Sequence, residues 1–131
     1  MLINRADDYA IRIMACLAVS GKMTADKIGE HQGIPISFTK TISSKLKRCG
    51  LLESFQGSVD PGFALAKRPE EISLYDIIKV NHPEFMIHYC LTEDKSCPVK
   101  DRENCKAQQY FEKLQQGIIK DLSSARLSDI I

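Results

Sequence analysis

Three cysteines, Cys90, Cys97 and Cys105, lie close together in one polar stretch near the end of the chain. Thiolates are soft ligands that select zinc or iron–sulfur clusters, and a loop with three of them can surround a metal centre without distorting a packed helix. A fourth ligand must then come from elsewhere in the protein. The spacing therefore predicts a metal or cluster site at this loop.

The cysteine count also bears on the compartment. Five cysteines are an odd number for a disulfide framework, and the first residues carry charges with no apolar run of signal-peptide length after them. No segment is long enough to span a bilayer. We therefore expect a cytoplasmic protein without a membrane partner, in which clustered cysteines more often bind metal than form disulfides.

Charge is distributed unevenly along the 131 residues, although the net charge is only +1. Residues 22–68 carry eight Lys or Arg against four Asp or Glu, a balance of +4. Residues 69–131 carry eight against eleven, a balance of −3. The basic half favours a nucleic-acid interface, although an ordinary solvated surface can have the same excess.

The basic half also has the pattern of a helix-turn-helix. Residues 6–20 have helical apolar spacing, and a second helix is predicted to begin at Thr24 and to end at Gly33. A third helix ends near Gly50 and has a face of Lys, Arg, Ser and Thr. Its apolar stripe is predicted to contain Phe38, Ile42, Leu46 and Cys49. We interpret Cys16 and Cys49 as small buried hydrophobes.

Two short runs after Gly50 are joined by turn-forming residues and predict a wing hairpin. Ser73 is predicted to cap a fourth helix, and residues 104–125 form the longest amphipathic pattern. The predicted fold is mostly α with a small β wing, a winged helix-turn-helix domain plus a long C-terminal dimerisation helix. We expect a DNA-binding domain at 1–82, a cysteine-rich loop at 83–105, and a dimerisation helix with a tail at 106–131.

Four features of the sequence occur together: the opening Met-Leu-Ile with Tyr9-Ala10, the stretches 31–38 and 46–52, and the cysteine loop. This combination resembles the Rrf-two family of winged-helix regulators, which includes the IscR and NsrR iron–sulfur sensors. The resemblance covers essentially the whole chain. It implies a homodimer that binds a palindromic operator in double-stranded DNA, and a 2Fe–2S or 4Fe–4S cluster held by the three loop cysteines.

The fourth ligand varies within the family. One variant resembles a carboxylate from the first helix of the partner subunit, a position that Asp8 occupies in this sequence. Another uses a histidine three residues after the last cysteine, where this chain has Gln108. The resemblance therefore favours Asp8 as a metal ligand, with His88 as the alternative, while a solvated carboxylate in the first turn of a helix is the ordinary interpretation of Asp8.

The third predicted helix would be the recognition helix, which enters the major groove. Four side chains at or near its start, or along its polar face, are candidate DNA contacts: Ser37, Thr39, Lys40 and Lys45. Lys40 is suited to a guanine. The wing has Gln56 where relatives commonly have arginine, which predicts a weaker minor-groove contact, and Asp60 should weaken it further. His31 and His82 have no recognisable partner and are expected to be surface residues.

Other classes of function stay open. A zinc-stabilised DNA-binding protein would use the same thiolates and would not respond to oxidants, because zinc has no redox chemistry. A cluster-free thiol switch is also compatible with the sequence. An enzyme is not expected, because the chain offers no nucleophile–base pair, phosphate loop or pair of acids.

Overall fold

The computed structural model describes residues 3–57, 59–91 and 102–131. Within these ranges the protein is mostly helical with one small antiparallel sheet, as the sequence predicted. The α-helices are α1 (Arg5–Ser20), α2 (Ala25–Gln32), α3 (Ile36–Arg48), α4 (Leu74–Ile78) and α5 (Lys106–Ser124), and the strands are β1 (Leu52–Phe55) and β2 (Gly62–Leu65). None of the helices in the described ranges combines the length and apolarity needed to cross a membrane.

Helices α2 and α3 form the predicted helix-turn-helix. The Thr24 hydroxyl accepts a hydrogen bond from the Lys27 amide at 3.3 Å, and Gly33 ends α2 in the left-handed conformation. Gly29 lets the two helices approach closely, because a Cβ at this position would lie 2.9 Å from the Ile34 carbonyl oxygen. The tight turn therefore depends on a glycine inside α2 as well as on the one that ends it.

The wing hairpin is anchored to the loop between α1 and α2. Strands β1 and β2 pair from Leu52↔Leu65 to Phe55↔Gly62, and Met23 extends the pairing through two backbone hydrogen bonds with Phe63, of 3.0 and 2.8 Å. Gly62 has no room for a side chain, since a Cβ would lie 2.7 Å from the Met23 backbone.

The core is built from the first four helices and the hairpin, and the end of the chain returns to it. Leu127 is fully buried, and its amide donates to the Ile72 carbonyl at 2.8 Å. The Leu74 amide donates to the Ala125 carbonyl at 3.0 Å. The residues after α5 therefore pack on the winged-helix core, although the expected domain boundaries stay a prediction.

Two positions on the predicted stripe of α3 differ from expectation. Ile42 and Leu46 are buried, but Phe38 is 53% exposed and Cys49 is exposed. The interpretation of Cys49 as a buried hydrophobe is wrong, because α3 ends at Arg48 and the turn that follows places this side chain in solvent. Cys16 is buried as predicted.

Candidate functional site

The outer face of α3 presents polar and basic side chains to solvent. Ser37 and Lys40 are exposed, Lys45 is half-buried, and Ser44 is exposed one turn after Lys40. Residues three and four apart lie on one face of a helix, so Ser37, Lys40 and Ser44 form a single polar row. This row has the donors that phosphate oxygens and base edges accept.

Thr39 lies on the opposite face of α3 and is completely buried. Its hydroxyl lies 3.2 Å from the Pro35 carbonyl oxygen and 3.5 Å from that of Ile34. The prediction that Thr39 lies exposed with the other candidate contacts is wrong. Threonine in the first turns of a helix can bond back to the preceding turn, and here it stabilises the turn between α2 and α3.

The carboxylate at the wing tip is paired with a lysine from the loop between α1 and α2. Gln56 is exposed, as a DNA contact requires. The Asp60 carboxylate lies 3.1 Å from the Lys22 ammonium, which also sits 4.6 Å from the centre of the Phe55 ring. Lys22 therefore offsets part of the negative charge that Asp60 would present to a phosphate backbone.

The described part of the cysteine segment runs along α5. Cys90 is buried, and Cys105 is half-buried immediately before α5; Cys97 lies outside the described residues. The Gln108 side-chain amide donates to the Cys90 carbonyl at 3.0 Å. Because Gln108 lies one helical turn after Cys105, this bond brings the Cys90 backbone to the beginning of α5.

A complete metal site is not formed by the described residues alone. Residues 3–57, 59–91 and 102–131 contain no group of three His, Cys, Asp or Glu side chains placed to hold a metal ion. The donor chemistry nevertheless fits an iron–sulfur cluster, because the described ends of the loop are thiols and the Cys90 backbone lies near the start of α5, the helix that Cys105 precedes. His88 stacks on the Phe111 ring, with the ring centres 4.9 Å apart.

Asp8 lies on the exposed side of α1, with a side chain that is 57% exposed. Its carboxylate is 3.3 Å from the Arg12 guanidinium, and the other Arg12 amine donates to the Gln32 carbonyl at the end of α2. Asp8 is thus linked through one arginine to the turn that precedes the recognition helix.

The burial of Asp7 and its contacts with distant residues were not predicted from the sequence. Asp7 is completely buried, and its carboxylate accepts from the Asn4 amide at 2.9 Å and from the Asn81 side chain at 3.2 Å; it also lies 2.8 Å from His82 Nε2. The expectation that His82 is a surface residue without a partner is wrong. The spacing of Asn4 and Asp7, which forms a capping box, was the available signal for Asp7.

An exposed basic helix in a helix-turn-helix, followed by a wing, defines a winged-helix DNA-binding regulator. The family model described as "Rrf2: Iron-dependent Transcriptional regulator" matches residues 3–131. The chain therefore belongs to the Rrf2 family, as its resemblance predicted, and it is a transcriptional regulator and not an enzyme.

Individual relatives agree with this assignment. The transcriptional regulator NsrR of Shouchella clausii is 24% identical over 93% of this chain and 88% of its own length. The solved structure of T. potens IscR superposes with a TM-score of 0.74, covering 98% of this chain and 84% of that one at 24% identity. CymR of B. subtilis, described as the global cysteine regulator, superposes with a TM-score of 0.72 at 21% identity, covering 98% and 94%. These two structural likenesses support the winged-helix fold.

Proposed function

We propose that this regulator controls its affinity for DNA through an iron–sulfur cluster, of the 2Fe–2S or 4Fe–4S type, held by Cys90, Cys97 and Cys105. The observation that supports the proposal is the hydrogen bond from Gln108 to the Cys90 carbonyl, which places the Cys90 backbone near the start of α5, the helix that Cys105 precedes. Such a cluster would supply reactivity towards oxidants or nitric oxide. The protein's part is to hold three thiolates at one place next to the DNA-binding domain.

Asp8 of the partner subunit is the proposed fourth ligand. Its exposure is compatible with a contact to another chain, and a hard carboxylate is a more exchangeable ligand than a fourth thiolate. Arg12 links Asp8 to the Gln32 carbonyl. Movement of the Asp8 carboxylate would therefore change the contacts of Arg12, and with them the position of the turn before α3.

The second copy that this ligand requires is also suggested by α5. None of its residues, all of which the structure describes, is buried within the subunit, and Tyr110 and Leu114 are 63% and 42% exposed. An amphipathic helix with an uncovered apolar face is stabilised by burying that face. We therefore propose a homodimer in which α5 of each subunit packs on the other, so that paired α3 helices bind a palindromic operator.

On DNA, we propose that Ser37, Lys40, Lys45 and Gln56 make the contacts, with Lys40 donating to a guanine in the major groove. The exposure of Ser37, Lys40 and Gln56 supports this assignment, whereas the burial of Thr39 removes it from the set. The cytoplasm is the proposed location.

The alternatives use the same thiols. A zinc ion would complete a closed structural site, and a cluster-free thiol switch would use Cys90 and Cys105 directly. The position of the Cys90 backbone near the start of α5, which Cys105 precedes, is compatible with either alternative. Metal content and visible absorption separate the three possibilities.

The test is purification without oxygen, followed by the visible spectrum and by analysis of iron, sulfide and zinc. Broad visible absorption with matching iron and sulfide is expected, and it should be lost in Cys97→Ala. Cys49→Ala is the matched control, because Cys49 is an exposed thiol outside the loop and its loss should leave the spectrum unchanged. A colourless protein that takes up no iron in anaerobic reconstitution would refute the cluster, and stoichiometric zinc would establish a structural site.

A further inference from the structure

Asp7 is a buried carboxylate whose partners lie far apart in sequence. Burial of a charge is costly unless the charge is hydrogen-bonded, and Asp7 meets this requirement with groups on both of its oxygens. The Asn4 amide and His82 Nε2 are near Oδ2, and the Asn81 side chain donates to Oδ1. Asn4 belongs to the cap of α1, whereas Asn81 and His82 belong to the turn after α4. One carboxylate therefore joins two separate parts of the chain.

The turn of Asn81 and His82, which Asp7 contacts, begins the segment of chain that leads to Cys90. The His82 ring packs edge-on against Phe85, with centres 6.3 Å apart, and Phe85 is buried against Tyr75 of α4. His82 itself keeps 27% of its side chain exposed. Leucine and glutamine are close to histidine in size, so either can replace it with a small change in packing, and leucine removes the bond to Asp7.

Three side chains on one face of α5 hold the rest of this segment. Gln115 accepts from the Ile87 amide at 2.9 Å, Phe111 stacks on the His88 ring, and Gln108 donates to the Cys90 carbonyl at 3.0 Å. Residues 81–91 are therefore attached to α1 at their first residues and to α5 further along. The attachment to α1 is made by Asp7.

We propose that Asp7 and His82 are a positioning pair. Their contact fixes the start of residues 81–91 on α1, so that this segment, which contains Cys90, moves together with α1. Asp7 thereby serves within the subunit, whereas its neighbour Asp8 faces outwards. The proposal rests on the proposed function, because the coupling it describes connects the cysteine segment to the DNA-binding domain. Unlike the proposed function, it concerns a contact within one subunit that forms without a cluster.

The first test is amide hydrogen exchange of the cluster-free full-length protein, comparing His82→Leu with His82→Gln. Leucine removes the polar group that faces Asp7, and glutamine restores a donor of similar reach. In His82→Leu, exchange should become roughly tenfold faster in residues 79–91 and in the first turn of α1, as expected for the loss of a hydrogen bond to a buried carboxylate. His82→Gln should exchange like the wild type.

Exchange like the wild type in both variants would overturn the proposal. Faster exchange throughout the chain in both variants would also overturn it, because His82 would then serve only overall stability. The second measurement is operator affinity with and without the cluster. His82→Leu should bring the ratio of the two dissociation constants at least about threefold closer to one, and His82→Gln should keep the wild-type ratio.

An unchanged ratio in His82→Leu would refute the coupling even if its exchange were faster. A wild-type protein that holds no cluster, or that binds DNA equally well with and without it, would instead refute the proposed function. The hydrogen-exchange result is independent of that outcome.

Discussion

Thr39 and Lys40 are neighbours on α3, yet the structure gives them opposite roles. Thr39 is fully buried and Lys40 is exposed. We expect Thr39→Val to lower thermal stability without changing DNA affinity. Lys40→Ala should weaken DNA binding without lowering thermal stability. Valine has nearly the same shape as threonine, so the first substitution removes one hydroxyl from the turn and leaves the outer face of α3 untouched.

The magnitudes follow from the contacts. The Thr39 hydroxyl, 3.2 Å from the Pro35 carbonyl oxygen, should contribute about 0.5–1.5 kcal/mol to the free energy of unfolding. For a chain of this length, that corresponds to a melting temperature lower by about 2–6 °C. A specific contact from Lys40 to a base is worth about 1–3 kcal/mol, so Lys40→Ala should weaken operator binding by roughly 5- to 150-fold per contact.

The assay has two parts. Thermal melting reports stability, and fluorescence anisotropy at fixed salt reports binding to an operator obtained by selection from random duplexes. A scrambled duplex is the control for sequence-independent affinity. Operator binding that weakens tenfold in folded Thr39→Val, or that is unchanged in Lys40→Ala, would refute the placement of these residues.

Four further substitutions test the burial of Leu127 and Ser43 and the proposed role of Asp8. Leu127→Ala should destabilise the protein by about 2–5 kcal/mol, whereas Ile130→Ala should cost much less, because Leu127 is fully buried and Ile130 is 44% exposed; equal costs in chemical denaturation would contradict the return of the tail to the core. Ser43→Ala should raise the melting temperature, because the buried Ser43 hydroxyl has no partner among the described residues; a lower melting temperature would contradict a net cost of burying this hydroxyl. Asp8→Ala should make the cluster absorbance decay faster in air, and a decay rate like that of the wild type would exclude Asp8 as a ligand.

The helices and the wing could be predicted because their signals are local. Thr24 and Ser73 cap their helices as expected, with hydroxyls that accept amides three residues later. The hairpin follows from glycine and proline between two short apolar runs. Such features depend on residues a few positions apart, and the sequence alone displays them.

The positions that the sequence did not reveal depend on distant contacts or on the end of a helix. Asp7 and His82 are 75 residues apart, and adjacent aspartates look alike until one of them is buried. Thr39 was grouped with its polar neighbours, because residue type does not tell a buried hydroxyl from an exposed one. Cys49 fitted the helical period, but α3 ends one residue before it.

Control of DNA affinity by the cysteine loop can be tested by measuring operator binding with one anaerobic preparation, before and after removal of its cluster. The dissociation constant is expected to change by at least about fivefold, the lower end of typical allosteric couplings, and this change should reverse on reconstitution and be absent in Cys97→Ala. Equal affinity of the cluster-loaded and cluster-free proteins would contradict this expectation.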